Sequence, residues 1–213
     1  SQSVLATFTE RNFSLSRFFS SKEKPARVRD GFGGGVSYAA GRVFVTTGFG
    51  EVLALDAATG DIIWRVQNLV AFSNAPTYSN GRIYVASQDS RLQAFNAEDG
   101  TRIWEHLAIK EAATIVGATS VAVNEQIVVA GFNSGEVVAL SPVNGQEAWN
   151  ETLTSRATQI TPLSQLNAIV GRPVIDRDRA YVTSHGGRTA AIDLRSGERV
   201  WTADVGSIET PWA

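Results

Sequence analysis

His106 and His185 are the only histidines in this 213-residue sequence, and there is no cysteine. Nucleophilic catalysis needs a Ser, Cys or Thr held against a base, and a zinc centre needs three or four N or S ligands. His106 follows Trp104 on an outer strand and His185 stands in a Ser-His-Gly-Gly turn, so both read as solvated or structural. Without cysteine, disulfides, thiolate metal sites and a thiol nucleophile are excluded. Gly33-Gly34-Gly35 would suit a phosphate cradle only at the start of a helix. No helical pattern follows it, so these glycines are expected to let a strand pass close to other backbone. No catalytic residue, no metal ligand set and no cofactor site emerges from these residue types.

Charge narrows the partners. Asp plus Glu number 21 and Lys plus Arg 19, a formal net charge of −2, which is no footprint for nucleic acid. Lys22 to Asp30 is locally basic, but its mixed signs and Pro25 read as a solvated linker. Apolar residues make up 43% of the chain and charged ones 19%, a globular balance. No apolar run reaches the roughly 18–20 residues that span a bilayer, and Ser1 to Phe18 shows no continuous apolar signal-peptide core. The sequence holds no Met, even at position 1, which predicts an N-terminus left by processing or fragmentation.

The strongest pattern is a repeat. Four segments superimpose, Gly41–Trp64, Gly81–Trp104, Gln126–Trp149 and Asp178–Trp201, and each ends in Gly-x-x-x-Trp. The pairs are Gly60/Trp64, Gly100/Trp104, Gly145/Trp149 and Gly197/Trp201, with the tryptophans 40, 45 and 52 residues apart. Within each copy, β-branched and aromatic runs such as Val43-Phe44-Val45 and Ile83-Tyr84-Val85 predict strands. Turn residues separate them, and Asp56, Asn96, Ser141 and Asp193 each offer a short side-chain oxygen that can bond a backbone N–H just ahead. Ala75–Tyr78 and Arg172–Ile175 supply a further strand.

Four short antiparallel strands per repeat of about 40–50 residues predict an all-β fold of β-propeller blades. One blade cannot bury both faces, so blades must stack, with Trp64, Trp104, Trp149 and Trp201 wedged between neighbours as structural docking residues. A buried indole N–H needs an acceptor, for which a turn carbonyl of the adjacent blade is suited. The expected organisation is a single partial propeller over residues 1–213. Residues 31–70, 71–110, 111–150 and 151–205 are blades, 1–30 a degenerate half blade and linker, and 206–213 the start of a further blade. Val4 to Arg17 aligns with Val52 to Arg65, placing Ser16 at the Trp position. Closed rings have four to eight blades, so either more polypeptide or another chain is expected to complete this one.

Ala54-Leu55-Asp56-Ala57-Ala58-Thr59-Gly60-Asp61-Ile62-Ile63-Trp64 and Ala191 to Trp201 resemble the Ala-x-Asp-x-x-Thr-Gly-x-x-x-Trp docking motif of quinoprotein-type (PQQ-like) propeller repeats. Gly33–Tyr38 leading into Phe44–Val52, and Gly171–Asp176 leading into Ser184–Arg188, are similar to the BamB-type branch, the lipoproteins of outer-membrane β-barrel assembly, in its alphaproteobacterial form. The resemblance implies a non-catalytic, protein-binding scaffold on the periplasmic face of the bacterial outer membrane. It also implies an eight-bladed ring, a lipid anchor on an N-terminal Cys that this sequence lacks, and binding to the POTRA domains of BamA through inter-blade loops. The family's acidic pair before a Pro has no counterpart in Leu166–Pro173.

The longest connector, Glu151 to Val170, stands out independently of any family, because long inter-blade insertions are where propellers place binding. Leu166, Asn167, Ile169 and Arg172 are the expected partner-binding residues, and a padded surface loop is the plainer reading. The rival function is a PQQ-dependent dehydrogenase. That chemistry needs an axial cofactor, a Ca²⁺ held by oxygen ligands and a base for the substrate hydroxyl. No Asp/Glu/Asn cluster recurs on the inner strands, the vicinal cysteines common in such enzymes are missing, and Trp212, the one axial Trp, reads as packing. A WD40-type scaffold is disfavoured, since these tryptophans precede Arg65, Glu105, Asn150 and Thr202 in place of Asp.

Overall fold

The computed structural model describes residues 33–72, 74–108, 120–153, 168–169, 171–207 and 210–211. The chain divides into two units, Ser1–Asp30 and Gly31–Ala213, and every described residue belongs to the second. The half blade expected at 1–30, Leu166, Asn167 and Trp212 lie outside the described residues.

Sixteen strands form four separate four-stranded antiparallel sheets, with no helix among the described residues. The first blade holds β1 (Gly34–Ala39), β2 (Arg42–Thr47), β3 (Glu51–Asp56) and β4 (Ile62–Gln67). The second holds β5 (Thr77–Ser79), β6 (Arg82–Ala86), β7 (Arg91–Asn96) and β8 (Arg102–Leu107). The third holds β9 (Ala122–Val123), β10 (Val128–Gly131), β11 (Glu136–Leu140) and β12 (Glu147–Thr152). The fourth holds β13 (Val174–Asp176), β14 (Arg179–Ser184), β15 (Arg188–Asp193) and β16 (Arg199–Ala203). Strand order within each sheet follows sequence order, and the first strands β1, β5, β9 and β13 neighbour one another from blade to blade. These inner strands line the axis, as in a propeller.

Burial follows from that stacking. The third strands β3 and β7 carry four consecutive buried residues, as expected where both faces of a sheet are covered. The outer strands β4, β8 and β12 bury only their Trp fully. Three apolar cores result, one per junction. Phe44, Val52, Trp64, Phe72, Ile83 and Phe95 fill the first. Tyr84, Leu92, Trp104, Val128 and Leu140 are prominent in the second, and Ile127, Val137, Trp149, Ile169, Val182 and Ile192 in the third. Close approach at the axis is visible at Gly35, where a Cβ would overlap the backbone of Ala75 on the way into β5.

Antiparallel order puts the β2–β3, β6–β7, β10–β11 and β14–β15 turns at the same end of the blades as the inter-blade connectors. Each connector out of blades one to three is pinned there by its first amides. Asn68 N–H donates to the Gly50 carbonyl (2.7 Å), Ala108 to Ser90 (3.0 Å) and Leu153 to Gly135 (2.9 Å). The docking turns lie at the opposite end.

The docking site and the candidate interaction face

Each docking turn is built the same way. Asp56 accepts the Gly60 amide on its carbonyl at 2.8 Å, Asn96 that of Gly100 at 2.9 Å, Ser141 that of Gly145 at 2.9 Å and Asp193 that of Gly197 at 2.9 Å. Side-chain oxygens add a second bond inside the turn, Asp56 Oδ1 to the Ala58 and Thr59 amides and Asp193 Oδ1 to those of Arg195 and Ser196. The glycines sit at φ of 80°, 75°, 72° and 76°, the left-handed region where a side chain is strained.

The indoles meet these turns in the next blade. Trp64 Nε1–H donates to the Ala97 carbonyl at 3.1 Å, Trp104 to Pro142 at 3.0 Å and Trp149 to Leu194 at 2.8 Å. The acceptor is in every case three residues before the glycine. The glycine itself supplies the floor: a Cβ on Gly100, Gly145 or Gly197 would stand 2.6–2.7 Å from atoms of Trp64, Trp104 or Trp149. Gly100, Gly145 and Gly197 are therefore glycine for two reasons at once, conformation and the ring lying on them.

Two further features complete the device. Opposite Trp64, Trp104, Trp149 and Trp201 stand alanines (Ala54, Ala94, Ala139 and Ala191), and immediately after each the register shifts by one residue on the outer strand. This bulge re-aims the side chain that follows it, turning the indole toward the neighbouring blade. The second feature is an arginine at the start of the second strand. Arg42 Nη1 donates to the Ala97 carbonyl at 2.6 Å and to that of Glu98 at 2.9 Å, and Arg82 Nη1 donates to the Pro142 carbonyl. Indole and guanidinium thus share one acceptor at the first two junctions. The third carries Ile127 at that position and is tied at its outer rim, where Arg199 bonds Glu151 and the Thr152 carbonyl. The Gly-Arg pairs Gly41-Arg42 and Gly81-Arg82 are the one sequence signal that points to the arginine.

Electrostatics within the turns is local. The Thr59 amide first, and then that of Ala58, hold the Asp56 carboxyl below its ordinary value, and the Ser196 amide chiefly does the same for Asp193. A carboxyl depressed in the folded state stabilises it above the unfolded-state pKa, and that contribution is lost as pH falls through the folded value. Both turns are thus expected to weaken below about pH 4. The double variant Asp56→Asn/Asp193→Asn, which copies the neutral side chain of Asn96, should lose less melting temperature than wild type between about pH 5 and 3. Equal slopes in a thermal melt series would show that these carboxylates do not carry the acid sensitivity.

The remaining candidates are spread apart. His106 lies on β8 with Nε2 4.0 Å from Glu147 Oε2, while His185 is exposed in the β14–β15 turn. No group of three or more His, Asp or Glu that could hold a metal occurs among the described residues. On the described inner strands the only carboxylate is Asp176 at the end of β13, a donor set that does not fit Ca²⁺ with an axial quinone. A buried Gln93, where the other blades carry Leu53, Val138 and Ala190, links the first connector to the outer strand. It accepts from Asn68 and donates to Glu105 at 2.6 Å.

Of the expected partner-loop residues, Arg172 is exposed, but Ile169 is fully buried. Ile169 pairs with Ser184 across a β-bridge and packs on Gly131, whose missing side chain leaves the room it fills. Its side chain therefore anchors the connector and is not offered to a partner. Leu153 and Ala168 are buried as well, so the part of the long connector free of core contacts is narrower than Glu151 to Val170. At the same end of the blades, Phe49 and Leu69 are exposed apolar side chains on the first blade, and Gln67 Nε2 ties their backbones by donating to the Phe49 and Asn68 carbonyls.

Comparison with known proteins agrees with this architecture. The family model described as outer membrane protein assembly factor BamB matches residues 7–213. The assembly factor BamB of Nitrosomonas eutropha is 31% identical over 174 residues, covering 82% of this chain and 42% of that protein. The Escherichia coli BamB is 35% identical over 175 residues, 82% of this chain and 44% of that one. The chain thus spans less than half the length of these curated relatives. The crystal structure of BamB from Moraxella catarrhalis superposes with a TM-score of 0.74 at 21% identity, over 84% of this chain and 54% of that one. A quinohemoprotein alcohol dehydrogenase from Pseudomonas putida superposes at 0.62 with 20% identity, over 79% and 33%, and shows the shared fold alone. A stack of four-stranded blades docked Trp-on-Gly, matched along nearly its whole length by one family model, places the chain in the family of the outer membrane protein assembly factor BamB.

Proposed function

We propose that this chain is part of a non-catalytic scaffold of outer-membrane β-barrel protein assembly, working on the periplasmic side of a bacterial outer membrane. The family match over residues 7–213 carries the reading. Its partner is a protein, expected from the family resemblance to be the POTRA domains of a BamA-like barrel-assembly protein, and membrane attachment would come through a lipid anchor. The blades act as a rigid rack, and the connector end offers the partner the exposed Arg172 on the long connector and the exposed Phe49 and Leu69 on the first blade. Apolar side chains ringed by polar backbone and charge are the usual make-up of such contacts.

The burial of Leu153, Ala168 and Ile169 refines the test. Replacing residues 154–167 by a glycine–serine segment of equal length keeps those anchors. In a pull-down of purified BamA-like POTRA domains, this variant and Arg172→Glu should each reduce capture at least about tenfold, the range of an interface hot spot. Undiminished capture by both would remove the long connector from the interface. A dehydrogenase is the second reading, favoured only by the shared fold. Dye reduction with an alcohol, PQQ and Ca²⁺ would support it, and the inner-strand side chains argue against that result.

A further inference from the structure

Asn-Gly occurs twice in the sequence, at Asn80-Gly81 and at Asn144-Gly145. Asparagine is among the thermolabile residues, and a following glycine offers its carboxamide an unhindered main-chain nitrogen. Loss of the amide needs that nitrogen free and the local backbone able to move. The two copies differ on both counts. Gly145 N–H is bonded to the Ser141 carbonyl at 2.9 Å, and Asn144 Oδ1 accepts the Gln146 amide at 3.1 Å. A Cβ on Gly145 would stand 2.6 Å from Trp104 Cδ2, so a buried indole lies on the peptide that would have to swing.

Asn80 and Gly81 instead form the whole of the β5–β6 turn. Ser79 pairs with Arg82, and φ values of 47° and 72° are those of the two-residue hairpin that favours Asn-Gly. Both residues are exposed, and a Cβ on Gly81 would meet nothing within 4 Å. Neither the Asn80 carboxamide nor the Gly81 N–H has a hydrogen-bond partner among the described residues. The turn nevertheless touches two junctions. The Gly81 carbonyl accepts the Ala97 N–H at 2.9 Å, and the Ala97 carbonyl is the one that receives Trp64 and Arg42. The next residue, Arg82, reaches the Pro142 carbonyl that also receives Trp104.

We propose that Asn80-Gly81 is a site of spontaneous deamidation and isoaspartate formation that loosens the first two junctions as the protein ages. The Gly81 nitrogen attacks Asn80 Cγ; a C–N bond forms, the Cγ–Nδ2 bond breaks, and ammonia leaves with the proton of the Gly81 N–H. Water then opens the resulting succinimide. Breaking the ring at the main-chain carbonyl gives isoaspartate, with the chain running through Cγ, and breaking it at Cγ gives aspartate. Nothing is oxidised or reduced, and water is the co-reactant. Isoaspartate puts a further carbon into the main chain of a two-residue turn, which is incompatible with keeping both Ser79 opposite Arg82 and Gly81 on Ala97. An exposed hairpin tip opens at small cost, whereas lifting Gly145 means undocking a core indole. This chemistry stands or falls separately from the scaffold reading.

The test holds the folded protein at mildly alkaline pH, well below its melting temperature, and follows each site by peptide mapping. Isoaspartate is counted with an isoaspartyl methyltransferase and S-adenosylmethionine. Asn80 is expected to convert at least about tenfold faster than Asn144. In urea the two rates should converge, since only the shared dipeptide then matters. Gly81→Ala, whose methyl group has free space, should slow Asn80 and leave Asn144 unchanged. The deamidated fraction, separated by its added negative charge, should melt below both fresh protein and Asn80→Asp, which adds the charge without lengthening the chain. Equal rates in the folded protein, or a faster Asn144, would overturn the site. A deamidated fraction as stable as Asn80→Asp would overturn the link to the junctions.

Discussion

Trp104→Ala is expected to destabilise the protein by about 3–5 kcal/mol, the range for emptying a large aromatic site in a core. Trp104 is 8% exposed, its ring sits 5.8 Å from that of Tyr84, and it belongs to the core between the second and third blades. Its hydrogen bond is the smaller part of the loss. The Pro142 carbonyl still receives Arg82 when the indole is gone, so no buried acceptor is orphaned. Trp201→Ala is the internal control. It removes the same side chain from the same motif at a face that is 41% exposed, and should cost about 1 kcal/mol or less in dilute protein. Urea denaturation of both variants decides the matter. Similar losses at the two positions would mean that stacking between blades is not what holds the sheets together.

Gly145→Val should cost about 2–5 kcal/mol, from two sources that can be separated. Left-handed backbone at φ 72° charges a β-branched residue about 1–2 kcal/mol. A Cβ 2.6 Å from Trp104 Cδ2 adds an overpacking penalty of about 1–3 kcal/mol. Gly81 sits at the same φ of 72°, and a Cβ there would meet nothing within 4 Å, so Gly81→Val reads the backbone contribution alone. The difference between the two variants isolates the ring contact. Combined with Trp104→Ala, Gly145→Val should lose most of that difference, because the overlap needs both partners. Full additivity would place the two residues in separate events and undo the docking geometry.

The blade pattern is legible in the sequence because it is local. Gly-x-x-x-Trp, an Asx or Ser opening the turn and β-branched runs on either side all lie within one repeat, and the strands fall on those runs. The bulge after Ala54, Ala94, Ala139 and Ala191 is not legible, since a four-residue offset from Gly to Trp is the same on a regular or a bulged strand. The arginine ties are hidden for another reason: their acceptors lie 55 and 60 residues away, beyond any periodic pattern. Ile169 reads as a surface residue because it lies in a long connector. What buries it is the missing side chain of Gly131, set within the apolar run of β10. A glycine inside such a run marks close approach of another segment, and that signal is present in the sequence.

The three docked indoles all reach forward along the chain. Trp64, Trp104 and Trp149 reach carbonyls 33, 38 and 45 residues later in the chain, and none reaches back. During synthesis or export from the N-terminus, each sheet is therefore finished before the turn that shelters its tryptophan has emerged. At about 5–20 residues per second, the wait is on the order of 2–9 seconds. A growing polypeptide of this design always carries one bare aromatic at its leading edge, handed on from sheet to sheet. Holding chaperones that bind such a side chain would find it at every stage of the molecule's birth.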